Sequence, residues 1–190
     1  MPRSARPGAT SLRAAEVLLT LSGLPGSGTS TLARTLASTL GLDHVDGGQV
    51  FRSLAAEHGL GLAEFGARAE TDPAIDIELD ARLARQGAQG DVVLESRLAG
   101  WIAANEGLPA LKVWVACDPD ERARRVAARE GSDPARARAQ NDGREASEAE
   151  RYRAYYGIDI ADLAPYDLVL DSTATSVETL TGQVLERVRA

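Results

Sequence analysis

The sequence has few side chains that bind transition metals, with one cysteine and two histidines in 190 residues. Cys117 cannot form a disulfide within the chain by itself, and His44 and His58 do not form a Cys/His cluster with metal-site spacing. A reducing compartment suits this composition, so we expect a cytoplasmic protein. No apolar run approaches the ~18 residues of a membrane span, and the first residues lack the apolar segment of a signal peptide.

Lysine is also nearly absent, since Lys112 is the only one among 21 basic residues. The overall preference for arginine is typical of GC-rich codon usage, but nine arginines fall between Arg122 and Arg153. The net charge of −7 excludes the broad positive field that a nucleic-acid coat or a binder of anionic membranes requires. We expect neither nucleic acid nor a membrane as a partner.

The length and the 44% hydrophobic content predict one domain with a sizeable core. Residues 1–15 contain Pro2, Pro7, Gly8 and scattered arginines, and they are interpreted as a flexible leader. The folded domain is therefore expected to span residues 16–190.

The central feature of the chain is a strand, a glycine-rich loop and a helix in succession. Residues 17–22 are an apolar run that favours a strand, and Leu32, Leu36 and Leu40 lie on one face of the predicted helix, which Gly41 ends. The loop between them contains Gly23, Leu24, Pro25, Gly26, Ser27, Gly28, Thr29, Ser30 and Thr31.

Such a loop binds phosphate because its backbone N–H groups turn inward and the helix N-terminus adds partial positive charge. Gly23 and Gly28 have the spacing of the nucleotide-binding P-loop, and Ser30 stands where a hydroxyl ligates Mg²⁺. Thr29, however, occupies the position where that pattern has lysine. The alternative is an ordinary turn between strand and helix whose glycines only allow close packing.

Four further strands are predicted at residues 42–45, 91–95, 111–116 and 168–170, and they alternate with helices. This alternation indicates an α/β fold with a parallel sheet covered on both faces. Ligands of such sheets bind beyond the carboxyl ends of the strands, where polar clusters follow at residues 46–52, 95–97 and 171–173. A phosphate loop, arginines and a carboxylate at one edge suit phosphoryl transfer.

Several stretches carry a resemblance when taken in order: residues 23–31, 48–52, 72–76 with Asp80 and Arg82, 94–101, 144–152 and 156–160. Together they resemble cytidylate kinases of the short archaeal type, which are P-loop nucleoside-monophosphate kinases. The resemblance implies a three-layer fold with a five-stranded parallel sheet, an acceptor-binding flap over about residues 47–90 and an arginine-rich lid over about residues 131–157. It also implies transfer of the γ-phosphoryl group from ATP with Mg²⁺ to CMP or dCMP. We expect the protein to be a monomer.

The resemblance also implies roles for individual side chains. The acceptor phosphate would be held by Arg52, Arg82 and Arg97. The catalytic residues would be Arg97 with Arg144 and Arg151, the last two closing on the transferring group. The ribose would be contacted by Glu148. Asp76 and Asp80 fall in the acceptor-binding region. Ser30 would bind Mg²⁺ directly and Glu95 through water.

Plainer interpretations stand beside these roles, since charges on helices are commonly solvated and paired. Glu148 and Arg151 are spaced for such a pair, whereas Asp80 and Arg82 are not. Glu95 could instead be a partner of Arg97, and Trp101 is interpreted as part of the core or of the crevice wall. Residues 171–173 would line the adenine or cap the following helix.

Two positions depart from the family pattern beyond Thr29. Gly47 and Leu98 stand where bacterial-type cytidylate kinases have polar residues that read cytosine. Two alternatives therefore stay open: the same fold acting on UMP, dTMP or a small metabolite, and a nucleotide-binding module without turnover.

Overall fold

The structure is a computed structural model that describes residues 17–189. The expected leader over residues 1–15 lies outside the described residues. Within them, no helix is long and apolar enough to cross a bilayer.

The described residues form one five-stranded sheet and the helices that cover it. The strands are β1 (Leu18–Gly23), β2 (Asp43–Asp46), β3 (Val92–Glu95), β4 (Ala110–Ala116) and β5 (Leu168–Asp171). The helices are α1 (Thr29–Leu40), α2 (Gly47–Glu57), α3 (Leu62–Ala69), α4 (Pro73–Gly87), α5 (Ala99–Asn105), α6 (Pro119–Glu130), α7 (Pro134–Tyr156) and α8 (Val177–Arg189). The strand order is β2-β3-β1-β4-β5 and every pairing is parallel. The predicted α/β fold with a five-stranded parallel sheet is confirmed.

Helices cover the sheet on both faces, and every residue of its central strand β1 is buried, including one threonine and one serine. Leu19 and Leu21 pack with Leu36 of α1 and Val184 of α8 in one core cluster. Leu18 packs on the other face, in a cluster to which α4 and α5 contribute. The two layers hold the strands in register, so that their carboxyl ends reach the same edge of the sheet.

Several helix starts follow from capping residues in the sequence. The side chains of Asp46, Asp72, Asp118 and Asp133 accept backbone N–H groups at the starts of α2, α4, α6 and α7. Proline occupies the first turn of the last three of these helices, where its missing N–H costs no hydrogen bond.

Most of the arginine-rich segment over about residues 131–157 forms one helix of 23 residues, α7. Ala137 near its start packs with Val126 and Ala127 of α6, and Tyr152 near its end packs into the core cluster beside α4 and α5. Helix α7 therefore carries its polar residues across the carboxyl edge of the sheet.

Candidate active site

The glycine-rich loop after β1 has a shape that only glycine allows at key positions. A Cβ atom on Gly23 would lie 2.6 Å from Ser27 Oγ and 2.7 Å from the carbonyl oxygen of Val115. Gly26 and Gly28 have φ angles of +83° and +90°, in the left-handed region that side chains disfavour. The conformation of the loop therefore requires glycine at these positions, which is typical of phosphate-binding loops.

The loop ends at the N-terminus of α1, where Gly28 is the N-cap and no side chain caps the helix. The first-turn N–H groups of a helix have no intrahelical partners, so an uncapped start can accept an anion. Thr29 follows with only 9% of its surface exposed, and it brings no positive charge to this point. Any charge that balances a polyphosphate here must come from another element.

A hydroxyl, a carboxylate and an imidazole lie in a row beside the loop. Ser30 Oγ donates to Glu95 Oε1 at 2.5 Å, and Glu95 Oε2 lies 3.0 Å from His44 Nε2. Glu95 is buried at the end of β3, and β2 carries His44 beside it. A hydroxyl and a carboxylate are oxygen ligands of the kind that Mg²⁺ prefers, and the ion usually keeps several waters, so this pair fits a hydrated Mg²⁺.

The second part of the site is a cluster of arginines and carboxylates opposite the loop. Arg97 Nε donates to Glu148 Oε2 at 2.8 Å, and Arg97 Nη1 donates to the carbonyl oxygen of Gly23 at 2.5 Å. The other carboxylate oxygen of Glu148 accepts from Arg144 Nε at 2.7 Å. Burial alone would raise the pKa of Glu148, but Arg97 and Arg144 outweigh it and the pKa is lowered.

A second ion pair joins α7 to α4 next to this cluster. Arg151 Nε donates to Asp76 Oδ2 at 2.9 Å, with the Asp76 side chain 5% exposed. Burial raises the pKa of Asp76, and Arg151 offsets only part of that shift. We name Arg97, Arg144, Arg151, Glu148 and Asp76 the arginine cluster.

Arg52 and Arg82 are not members of the arginine cluster. Arg52 is more than half exposed on α2, with its guanidinium 3.8 Å from Asp46. The guanidinium of Arg82 donates hydrogen bonds to the carboxylate of Glu57 at 2.7 and 2.8 Å and to that of Glu78 at 2.7 Å. Glu78 precedes Arg82 by four residues, the spacing of a helical ion pair, so the simpler role was visible in the sequence. Contact of both arginines with the acceptor phosphate stays a prediction.

Asp80 lies one helical turn beyond Asp76 on α4. Burial raises the pKa of Asp80 to about 7, the Tyr156 hydroxyl opposes that shift, and the charge of Asp76 adds to it. A carboxylate that titrates near neutral pH beside a site is a candidate for a functional role.

Two arginines of α6 that sequence reasoning did not select also contact the loop. Arg122 is buried, forms an ion pair with Glu145 of α7, and donates to the carbonyl oxygen of Pro25 at 3.2 Å. Arg125 Nη1 donates to the carbonyl oxygen of Ser27 in the loop at 3.5 Å, and its Nη2 donates to that of Ser172 at 2.6 Å. The clustering of arginines after residue 122 was the signal in the sequence, but nothing there distinguished these two from their exposed neighbours.

Ser172 ties the end of β5 to the same loop. Its hydroxyl donates to the carbonyl oxygen of Ser27 at 2.7 Å, and Thr173 Oγ1 accepts from the N–H of Asp118. The residues after β5 therefore brace the loop from the side opposite β3. Helix α8 begins later, at Val177, so the alternative that residues 171–173 cap this helix is wrong.

Comparison with known sequences agrees with this geometry. The profile of the cytidylate kinase-like family matches residues 18–174. The chain is 48% identical to the cytidylate kinase of Halobacterium salinarum over an alignment of 176 residues. This alignment covers 92% of this chain and 90% of the relative. The chain is 47% identical to the cytidylate kinase of Methanopyrus kandleri, over 84% of this chain and 86% of the relative.

Solved structures share the fold at low sequence identity. A shikimate kinase from Bacteroides thetaiotaomicron superposes with a TM-score of 0.63 at 14% identity, over 92% of this chain and 99% of that one. A protein from Eubacterium ventriosum gives a TM-score of 0.69 at 16% identity over the same shares. The sheet order, the loop and the sequence relatives together place the chain: it belongs to the cytidylate kinase-like family.

Proposed function

We propose that this protein is a nucleoside-monophosphate kinase that transfers the γ-phosphoryl group of ATP to CMP or dCMP, giving ADP and CDP or dCDP. The observation that carries the proposal is the position of Arg97, which is bonded both to the phosphate loop at Gly23 and to Glu148 of α7. One guanidinium thus lies between a triphosphate in the loop and a monophosphate at the arginine cluster. The names of the sequence relatives supply the acceptor class.

ATP would place its phosphates on the loop over residues 23–31, with the N-terminus of α1 directed at them. Ser30 would bind Mg²⁺ directly and Glu95 would hold it through water. The ion neutralises charge on the β- and γ-phosphates when it is bound. In this proposal Glu95 accepts from both Ser30 and His44, so its carboxylate is fixed before the nucleotide arrives.

The acceptor phosphate would bind at the arginine cluster, because guanidinium forks match phosphate oxygens in bidentate geometry. An oxygen of that phosphate attacks the γ-phosphorus, and the bond from the γ-phosphorus to the bridging β–γ oxygen breaks. The phosphate oxygen is already ionised at neutral pH, so no general base is needed. Arg97, Arg144 and Arg151 would then balance the charge on the transferring group.

In this proposal residues 47–90 form the acceptor-binding region and residues 131–157 form the lid. Arg144 and Arg151 leave Glu148 and Asp76 when phosphate arrives, and Glu148 becomes free to accept from the acceptor's ribose. Because these pairs are charge-assisted, exchanging a carboxylate for a phosphate oxygen keeps each guanidinium bonded throughout.

A coupled assay of ADP release tests the proposal, with ATP and Mg²⁺ and each of CMP, dCMP, UMP, dTMP and AMP as acceptor. We expect CMP or dCMP to give the highest kcat/KM. A higher value for UMP or dTMP would assign the fold another acceptor. No turnover with every monophosphate, together with tight ATP binding, would mean that the protein is a binding module.

A further inference from the structure

A cavity of about 250 Å³ lies between α4 and α5, and Tyr156 at the end of α7 and Ile158 after it complete its lining. We name it the α4–α5 cavity. Its walls are mostly apolar and include Leu98, Ile102 and Ile158. A cavity of this size, somewhat below the roughly 300–1,000 Å³ of drug-sized ligands, suits one flat ring with apolar faces.

Five polar side chains line this cavity: Asp80, Trp101, Tyr156, Asn105 and Glu106. The indole Nε1 of Trp101 and the hydroxyl of Tyr156 are buried with no hydrogen-bond partner. Asp80 lines the cavity beside Tyr156, although the two do not make a hydrogen bond of good geometry. Buried donors without partners are unfavourable, so a ligand that supplies acceptors would relieve that cost.

Three pairs of residues, each four positions apart in the sequence, connect the arginine cluster to the α4–α5 cavity. We call each pair a step. Asp76 precedes Asp80 by four residues, Arg97 precedes Trp101 by four, and Tyr152 precedes Tyr156 by four.

In the first two steps the earlier residue belongs to the arginine cluster. In the third step the earlier residue is Tyr152, whose pKa is raised by burial and is also shifted by the charges of Glu148 and Arg97. Every later residue lines the cavity. The first and third steps lie within α4 and α7, where four residues rise about 6 Å, a distance that a sugar bridges between a phosphate and a base.

We propose that the α4–α5 cavity holds the acceptor's base and reads it as cytosine, with Asp80 accepting from the 4-amino group and Trp101 and Tyr156 donating to the N3 and O2 acceptors. The assignment rests on the proposed function, which supplies the nucleoside monophosphate. It gives Trp101 a polar contact in addition to its place in the crevice wall. It also provides polar readers in a chain that has Gly47 and Leu98 at the positions used by bacterial-type enzymes.

The same three groups disfavour uracil. Cytosine presents an amino donor where uracil presents the O4 acceptor, and carboxylates are the side chains that accept from that amino group. Above the pKa of about 7 that Asp80 has in the fold, its carboxylate would face O4 with no proton between the two oxygens. Uracil N3 also carries a hydrogen, so one of the two donors in the cavity would lose its acceptor.

The test compares the purified wild type with the variants Asp80→Asn, Trp101→Phe and Tyr156→Phe. The measured quantities are kcat and KM for CMP and UMP with saturating ATP and Mg²⁺. We expect Asp80→Asn to lower kcat/KM for CMP by about tenfold or more and to leave or raise that for UMP, because an amide can donate to O4. Trp101→Phe and Tyr156→Phe should raise KM for CMP severalfold while kcat changes little.

Asp43→Asn serves as the matched control, since Asp43 is an exposed carboxylate at the start of β2. Its kinetics should equal those of the wild type. An unchanged CMP-to-UMP ratio in Asp80→Asn, or an unchanged KM in both aromatic variants, would overturn the assignment. If Asp80→Asn does not fold, the two aromatic variants decide the question by themselves.

Calorimetric titration with CMP separates this inference from the proposed function. If the wild type turns over no monophosphate, the kinase proposal fails. CMP binding that weakens in Asp80→Asn and Trp101→Phe would still support the cavity as a base site. CMP binding that is absent, or equal in wild type and variants, would overturn it.

Discussion

Arg97 Nη1 lies 2.5 Å from the carbonyl oxygen of Gly23, so a guanidinium from the end of β3 is bonded to the phosphate loop after β1. The two strands are hydrogen-bonded neighbours, with Leu21 opposite Glu95. The sheet register therefore sets the distance between Arg97 and the glycine-rich loop.

Replacing this arginine tests its part in the chemistry. Arg97→Ala should lower kcat by at least ~10², because the loss of one donor to a developing charge costs about 3 kcal/mol. The measurement is steady-state kinetics with CMP. Arg124→Ala is the control, because Arg124 is 65% exposed on α6 and pairs with Glu121; an equal loss in both variants would contradict the role of Arg97.

A substitution of Glu148 tests the electrostatic balance of the arginine cluster. Glu148→Gln leaves Arg97 and Arg144 without a carboxylate, and breaking a buried ion pair from one side costs roughly 3–5 kcal/mol. We expect a clearly lower Tm in thermal unfolding without nucleotide. Glu130→Gln removes a carboxylate from an exposed pair with Arg129 and should shift Tm little. Similar Tm values for the two variants would rule out a structural role for the Glu148 pairs.

Gly23 tests the conformation of the loop. Gly23→Ala would place a methyl group 2.7 Å from the backbone oxygen of Val115, which cannot rotate away. ATP binding measured by calorimetry should weaken at least tenfold, and Tm should fall. The control Gly143→Ala lies in α7 with nothing within 4 Å of the added carbon. It should gain about 0.5–1 kcal/mol in unfolding free energy, since alanine favours helix.

Asp80 gives a pH-dependent prediction. Its pKa is about 7 in the fold against an ordinary value of 3.8, so between these values the folded state binds more protons than the unfolded state. The stability of the wild type therefore falls as the pH rises through this window. Asp80→Asn removes the buried charge and should raise Tm relative to wild type more at pH 8 than at pH 5. A difference in Tm independent of pH would contradict this.

The fold was predictable from the sequence because its signals are local. The apolar strands, the proline and aspartate starts of α4 and α6, and the glycine after α1 each specify one element. The alternation of these elements then leaves a parallel sheet as the arrangement that buries both faces of β1.

The site was predictable only where a motif marked it. The loop and Arg97 follow strands whose ends must meet, so their proximity could be inferred. The contact of His44 with Glu95 depends on β2 pairing beside β3, and sequence spacing does not encode that order. The burial of Arg122 with Glu145 likewise depends on α7 packing against α6, across 23 positions of the chain.

The carboxylates of the arginine cluster affect which anions can bind to its guanidinium groups. Glu148 and Asp76 already accept hydrogen bonds from the guanidinium groups. The binding free energy of another anion is therefore only the difference between its contacts and those of the two carboxylates. Chloride and free phosphate make no further contacts that would favour them over these carboxylates. A nucleotide would add the contacts of its sugar and base to those of its phosphate, so we expect it to displace the two carboxylates where simple salts do not.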